Sequence, residues 1–495
     1  MRIITQSRPA RSDLTPSSPA GSRRQGWLSA VLCSLILCCL VLGCNPVSRP
    51  LPLPDPEKKQ ELVVLILPGP LTYEAEGGAI SGLDHDLVQM FAQELGVPVR
   101  FQVSAPHEVR ARLARHEGHM AAGWLTPDAD PRFRYSRPYL TTRDVLVRHE
   151  AALSVRAREN LVGRTVHASD GSRQHQTLLA LREKIPGLVV ETFPSENALD
   201  LLEAVASRKV DIALIDEAVL NMGLNFYPGL EAGIDLGEAH PITWMFPADG
   251  DPAVLAHAQG FLLKVGGQPT LAQLHDRYLG HVERLKSIDI TTFIERIRTT
   301  LPRYRPLFKK AQVSTDLDWR LLAALSYQES HWNPLNTSPT GVRGIMMLTG
   351  DTADFLGVRN RLDPEESILA GARYLAFLKA DLPASTPEPD RTWQALAAYN
   401  IGPGHFSAAR LIAQREEADA DSWFDMKRIL PLLARPRYYA RLKSGKARGG
   451  EAVIMVENIR LFYDIIQRYE PPYNPADEHQ ENGDLHLRPS REPRL

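Results

Sequence analysis

The feature that most limits the fold of this chain is a rhythm of short apolar runs and helix-like stretches through its first half. Leu62-Val63-Val64-Leu65-Ile66-Leu67 is a continuous apolar run closed by Pro68-Gly69-Pro70, the pattern of a strand buried on both faces. A helix-like stretch over Asp84 to Leu95 follows, then a strand candidate at Val99 to Val103. His107 to Arg115 reads as helix, Asp144 to Arg148 as strand, and Leu161 to Val166 as turn plus strand. Asn197 to Ser207 reads as helix and Val210 to Ile215 as strand. Alternation of this kind builds a mixed α/β domain, expected over 61–282.

The N-terminus has a different character. All four cysteines sit there, at Cys33, Cys38, Cys39 and Cys44. The first three lie in an apolar run from Trp27 to Leu42, preceded by Arg23 and Arg24. A positive segment before a short apolar one is the pattern of an export signal. The run is shorter than the about 20 apolar residues of a membrane-spanning helix. Cleavage before Cys44 would leave a mature chain with one cysteine, which rules out an internal disulfide, cysteine catalysis and a thiolate metal site.

Residues 45–60 are rich in Pro and charge and read as a tether, and the polar, Pro-containing tail 471–495 is expected to be disordered. The connector 283–310 holds Ile288, Ile290, Phe293, Ile294 and Ile297, too apolar for a loose linker, and is expected to be ordered. The 57 basic and 59 acidic residues leave a net charge of -2, so nothing steers the chain to nucleic acid. The chain has no HExxH, no closely spaced His set and no Walker loop, so neither a metal nor a cofactor is expected.

The chemistry is expected in the second half. Thr315-Asp316-Leu317-Asp318 has the form of a capping box, and Leu321, Leu325 and Glu329 then follow at four-residue spacing. Glu329 thus projects from a face that is apolar one and two turns earlier. It is either a surface carboxylate at a helix end or a partly buried general acid with a raised pKa. His331-Trp332-Asn333-Pro334 ends the helix and offers an aromatic surface for a sugar ring. Ser338-Pro339-Thr340-Gly341 is a turn, and Ala395 to Tyr399 is a small-residue helix broken at Asn400-Ile401-Gly402-Pro403-Gly404.

Two family resemblances add to this. Gly82-Leu83-Asp84, Phe133-Arg134-Tyr135-Ser136-Arg137-Pro138-Tyr139, Gly163-Arg164-Thr165-Val166 and Val210-Asp211-Ile212-Ala213-Leu214-Ile215-Asp216 resemble the bacterial extracytoplasmic solute-binding family, type 3. That implies two α/β lobes closing on a small ligand, often an amino acid. Ala129 stands where amino-acid binders of the family usually carry an Arg for the ligand carboxylate, and a methyl group cannot replace a guanidinium fork. Arg132 and Arg134 are the substitutes within reach of that segment. Sensing of a muropeptide or stem peptide, a pure scaffold role and a transport role stay open for this domain.

Glu329-Ser330, Gly344-Ile345-Met346-Met347-Leu348, Ala398-Tyr399-Asn400 and Arg437-Tyr438-Tyr439 resemble the signature pieces of the soluble lytic transglycosylases, over 311–470. Met347, Thr349 and Gly350 depart from the Gln, Met and Pro that many members carry there. The implied architecture is a bilobal periplasmic-binding-protein-like α/β domain followed by an all-α-dominated, goose-lysozyme-like transglycosylase domain. Val41-Leu42-Gly43-Cys44 resembles a lipoprotein box, which implies a lipid on Cys44 and anchoring to a bilayer. Asn45 after the cysteine leans towards the periplasmic face of the outer membrane. Together these features resemble the membrane-bound branch of the transglycosylases.

The resemblance implies non-hydrolytic cleavage of peptidoglycan glycan strands between N-acetylmuramic acid and N-acetylglucosamine. Glu329 would act as acid and then as base, Tyr439 would orient it, Tyr399 and Asn400 would hold the acetamido group, and Ser338 and Met346 would line the subsites. Two rivals stay open. A lysozyme-like hydrolase normally needs a second carboxylate; Asp316 and Asp318 lie about three turns before Glu329, and Asp351 is the nearest later candidate. A lipid-tethered muropeptide receptor would bind without product.

Overall fold

The computed structural model describes residues 61–475 apart from 77–78, 195–196, 237, 283–284 and 441, together with 53, 55 and 56. The expected signal segment with Cys44, most of the tether, and the tail beyond 475 lie outside the described residues.

The first half forms two α/β lobes. Its strands are β1 (Leu62–Ile66), β2 (Glu74–Glu76), β3 (Ala79–Ser81), β4 (Val99–Val103), β5 (Met120–Leu125), β6 (Phe133–Tyr135), β7 (Leu140–Thr142), β8 (Asp144–His149), β9 (Thr165–Ser169), β10 (Val189–Phe193), β11 (Ile212–Asp216), β12 (Leu230–Asp235) and β13 (His240–Pro247). Its helices are α1 (Leu83–Glu94), α2 (Val109–Ala114), α3 (Arg173–Arg182), α4 (Ala198–Ala206), α5 (Glu217–Leu224), α6 (Pro252–Gly266) and α7 (Thr270–Leu279).

One sheet runs β4-β1-β5-β13-β6, with β7 also on β13; the other runs β10-β9-β11-β8-β12. The chain leaves the first lobe after β7 and returns to it with β13. All five residues of β1 are buried, as the unbroken apolar run required, and β1 lies parallel to both β4 and β5. Leu87 and Phe91 of α1 meet Trp244 and Phe261 over this sheet. The α/β rhythm legible in the sequence is therefore the rhythm of the fold.

The second half is helical: α8 (Ser287–Thr299), α9 (Leu301–Thr315), α10 (Trp319–Ser330), α11 (Gly350–Leu356), α12 (Pro364–Asp381), α13 (Asp390–Ile401), α14 (Pro403–Arg415), α15 (Trp423–Ile429), α16 (Pro436–Tyr439) and α17 (Gly449–Tyr469). The longest, α17, runs through the centre and buries Ala452, Val456, Ile459 and Ile466. Gly449 opens it because a Cβ there would come 2.0 Å from the Leu430 carbonyl oxygen. No described helix is long and apolar enough to cross a membrane.

The connector is α8 and the start of α9, with Ile290, Phe293, Ile294 and Ile297 buried and Ile288 exposed. Both lobes are fastened to the helical half. From the first lobe, Arg277 Nη2 donates to Asp390 Oδ2 at 3.0 Å, and Arg460 Nη2 donates to the Arg277 carbonyl at 2.7 Å. From the second, the Phe226 carbonyl accepts from Tyr469 Oη at 2.7 Å.

Three local expectations need correction. Thr315 does not cap α10: its hydroxyl bonds back to the Ala311 carbonyl within α9, and Asp318 is the cap, accepting from Arg320 N at 2.8 Å. Trp332 offers no sugar-binding surface, because it is buried with Nε1 donating to the Ala323 carbonyl at 2.9 Å. The tail is ordered at its start, where the Tyr473 carbonyl accepts from Gln312 Nε2 at 2.9 Å and Lys309 Nζ lies 4.6 Å from the Tyr473 ring centre.

Candidate active site

Glu329 is the penultimate residue of α10. Leu321 and Leu325 precede it on the same face, and both are buried. The helix stops at His331, whose φ of 53° is left-handed and whose N–H closes on the Tyr327 carbonyl at 2.7 Å. Ser326 and Ser330 both donate to the Ile345 carbonyl, at 3.1 and 2.8 Å, and so fasten the end of α10 to the segment Gly344–Leu348. Glu329 is left half-buried with no hydrogen bond or ion pair among the described residues. Loss of water pushes its carboxyl up to about 8. The nearby negative end of the α10 dipole acts in the same direction.

The segment after the turn is fixed by close contacts. Gly344 has φ 88°, and a Cβ there would meet the Arg361 carbonyl oxygen at 1.8 Å, so only glycine fits. Met346 follows with its side chain wholly buried against Gly371. Its expected role in lining a subsite is therefore not filled by the side chain. Its carbonyl accepts from Tyr399 Oη at 2.8 Å. Burial, and then the neighbouring Glu329 charge, drive the Tyr399 phenol well above its ordinary range, so it stays a neutral donor.

Asn400, exposed near the end of α13, lines one groove with Gln328, Glu329, Glu451, Ile454 and Met455. The groove has a volume of about 250 Å³. Ser338 and Tyr439 are not among its lining residues. The Ser338 hydroxyl lies 2.9 Å from Thr340 Oγ1 and accepts from Val342 N at 3.2 Å, closing its own turn. Tyr439 ends α16 half-buried, and no hydrogen bond joins it to Glu329 among the described residues. Cys44 lies outside those residues.

Sequence reasoning missed the α17 wall of the groove. Glu451, Ile454 and Met455 share a helical side by their spacing. Nothing in that spacing separates a groove from a core face, because most of α17 is buried. Glu451 matters chemically as a second carboxylate in the groove: it is exposed and lies 3.4 Å from Arg448 Nη1. Asp318 is spent elsewhere, on Arg320 and on Tyr463 Oη at 2.8 Å. Asp351 sits in the first turn of α11. No group of three or more His, Cys, Asp or Glu among the described residues could hold a metal ion.

A second cavity, of about 800 Å³, lies between the two lobes. Trp124 of the first lobe donates through Nε1 to Asp216 of the second at 2.9 Å, so the lobes touch across it. Arg173 Nη2 bridges Asp144 and Asp216 at 3.0 and 2.9 Å, while its Nε and Nη1 are buried with no hydrogen-bond partner among the described residues. Arg132 is engaged with Asp130, and Arg134 faces a different pocket. Two arginines line the cleft among the described residues: Arg110, paired with Asp128 at 2.6 Å, and Arg173, which the sequence did not single out.

The raised Glu329 pKa has a stability consequence with a definite sign. The unfolded carboxyl titrates near 4.5 and the folded one near 8, so between these values the folded chain holds the extra proton and loses stability as pH rises. Glu329→Gln removes that loss. Its unfolding midpoint should exceed the parent's at pH 7.5, by an equivalent of about 2–4 kcal/mol, and the gain should shrink towards pH 5. A gain independent of pH in thermal scans would contradict a desolvated carboxyl.

Comparison with known proteins bears on both halves. Residues 306–422 match the family described as Transglycosylase SLT domain, and residues 62–281 match the Bacterial extracellular solute-binding proteins, family 3. A relative from Methylobacillus flagellatus called membrane-bound lytic murein transglycosylase F is 42% identical over 452 residues, covering 90% of this chain and 95% of the relative. The protein of the same name from Nitrosospira multiformis is 40% identical over 454 residues, covering 90% and 94%. The one from Thiobacillus denitrificans is 42% identical over 441 residues, covering 88% and 93%. With an uncompensated acid in the groove and this likeness running through both halves, the chain belongs to the membrane-bound lytic murein transglycosylase F family.

Proposed function

We propose that this chain cuts the β-1,4 bond between N-acetylmuramic acid and N-acetylglucosamine in peptidoglycan without taking up water. The observation that carries the proposal is Glu329, a carboxyl raised to about 8 by burial in an open groove, with no cation against it among the described residues. Such a group holds its proton at neutral pH and can pass it to the glycosidic oxygen. As that bond breaks, the substrate's own 2-acetamido oxygen attacks the anomeric carbon. The Glu329 carboxylate then takes the proton of the C6 hydroxyl, and the C6 oxygen displaces the acetamido oxygen. The product is a 1,6-anhydromuramic end, and the atoms of the substrate are conserved.

Asn400 has the exposure and amide chemistry to hold the acetamido group, and Tyr399, pinned on Met346, fixes the wall beside it. Glu451 is the specific observation that favours a second reading, inverting hydrolysis, in which it would activate water.

Mass spectrometry of murein sacculi digested by residues 51–495 separates the two. Anhydro products, lighter by one water than hydrolytic ones and absent with Glu329→Gln, are expected. The rate should fall as pH rises through about 8. Reducing-end products that vanish in Glu451→Gln would replace the proposal with the hydrolase.

We infer that the interlobe cleft senses a cell-wall peptide fragment. Arg173 lines the cleft, and its Nε and Nη1, which have no partner among the described residues, suit a carboxylate, so the lining favours a ligand with an anionic group such as a peptide carboxylate. Calorimetric titration with a wall stem peptide should give binding that weakens about tenfold or more in Arg173→Ala. No binding by the parent chain would leave the domain a scaffold.

The lipoprotein box supports anchoring through a lipid on Cys44, on the periplasmic face of the outer membrane. In cells fed labelled palmitate, the chain should take up label and a Cys44→Ala precursor should not. Equal labelling of both would sink the anchor.

A further inference from the structure

A row of aromatic rings leads outward from the active site. The Tyr399 ring lies 5.4 Å from Tyr374, Tyr374 lies 6.5 Å from Phe377 at an interplanar angle of 13°, and Phe377 lies 5.7 Å from Phe355. The row passes from buried to exposed. Tyr399 and Tyr374 are half-buried, whereas Phe377 is 47% and Phe355 66% exposed. Single exposed apolar residues such as Val313 or Leu411 are ordinary on a protein surface. Two exposed phenylalanines in ring contact, on different helices and continuous with Tyr374 and Tyr399, form a patch that lacks a partner among the described residues.

We propose that Phe355 and Phe377, continued by Tyr374, are a stacking platform for the glycan strand as it leaves the groove. The proposal rests on the glycan-cutting reading and adds where the uncut polymer lies. A pyranose ring presents an apolar C–H face with polar groups at its rim, which suits aromatic rings bordered by polar side chains. Here Arg373 and Asp381 stand one turn before and after Phe377 on α12, and Asp354 stands beside Phe355 on α11; all three are exposed. Successive rings 5.4–6.5 Å apart offer repeated contacts, as a chain of sugars does. A protein partner would be expected to bury such a patch through a larger apolar surface than two rings supply. Continuity with Tyr399, which lies close enough to Glu329 to feel its charge, is what selects the strand as the occupant.

The test measures retention on purified murein sacculi, with the whole chain carrying Glu329→Gln so that binding is read apart from cleavage. Adding Phe355→Ala and Phe377→Ala should weaken apparent affinity about tenfold. Phe355→Tyr with Phe377→Tyr, which keeps the rings, should stay within about twofold of the parent. In the active chain, the alanine pair should raise KM on sacculi and leave kcat nearly unchanged. Unchanged retention, or a loss of self-association by sedimentation in its place, overturns the platform. Failure of the glycan-cutting reading would show separately, as absence of anhydro ends from the chain with Glu329 intact.

Discussion

The proposed active site depends on one unfavourable placement: a half-buried carboxyl, desolvated by its surroundings, with no positive group paired to it among the described residues. The same domain shows what the alternative looks like. Burial alone would raise Glu457, but Arg460 and Lys427 lie against it, Trp423 donates to it through Nε1, and it is held below its usual value. Glu329 has none of these. Arg296, which approaches the same helix end, is engaged by the His331 carbonyl at 2.9 Å. Glu329 lines the groove with Gln328, Asn400, Glu451, Ile454 and Met455, none of them a cation. An arginine added at that wall would lower the pKa and remove the proton at neutral pH.

The groove is built at the ends of long elements whose other ends are docked on the N-terminal lobes. Helix α17 carries Glu451 and Met455 at its start, meets the first lobe through Arg460, and reaches the second with Arg468 and Tyr469. Helix α13 begins at Asp390, which Arg277 grips, and ends with Tyr399 and Asn400. One hydrophobic core holds residues of both the second lobe and the helical half, among them Leu202, Phe293 and Phe462. A change in the angle between the lobes must work against these contacts. Both groove walls are then the elements on which such a change bears, and this is the kind of shared element that coupling between two sites requires.

The parts of this fold that could be read in the sequence are those governed by short-range periodicity. The unbroken run at β1, the β/α alternation, the apolar spacing before Glu329 and the helix break after Asn400 all follow from local patterning. The parts that escaped are decided by distant neighbours. Met346 reads as a possible subsite wall until Gly371 is seen to make room for its side chain. Thr315 followed by Asp318 has the letters of a capping box, yet the preceding helix takes the threonine. Glu451 and Glu329 face one groove only because α17 crosses the end of α10, and Arg173 is a helix residue like any other until the lobes close over it.

Trp332 is the most instructive miss, because an aromatic beside a catalytic acid has the same letters whether it stacks on substrate or wedges the core. Geometry decides here. His331 and Trp332 both adopt left-handed φ values, 53° and 58°, which turn the chain sharply and send the indole inward. Each non-glycine residue in that region costs about 1 kcal/mol or more. The strain is offset by wholly burying a large ring, by its bond to the Ala323 carbonyl, and by ring contacts with Phe293 at 5.6 Å and Tyr327 at 4.9 Å. Phe293 also meets Phe462 of α17 at 4.5 Å. The wedge that ends α10, and so presents Glu329 to the groove, is therefore held from one side by the connector helix and from the other by the central helix. The apolar residues between the two domains are part of the acid's support, which is the physical reason that segment is ordered.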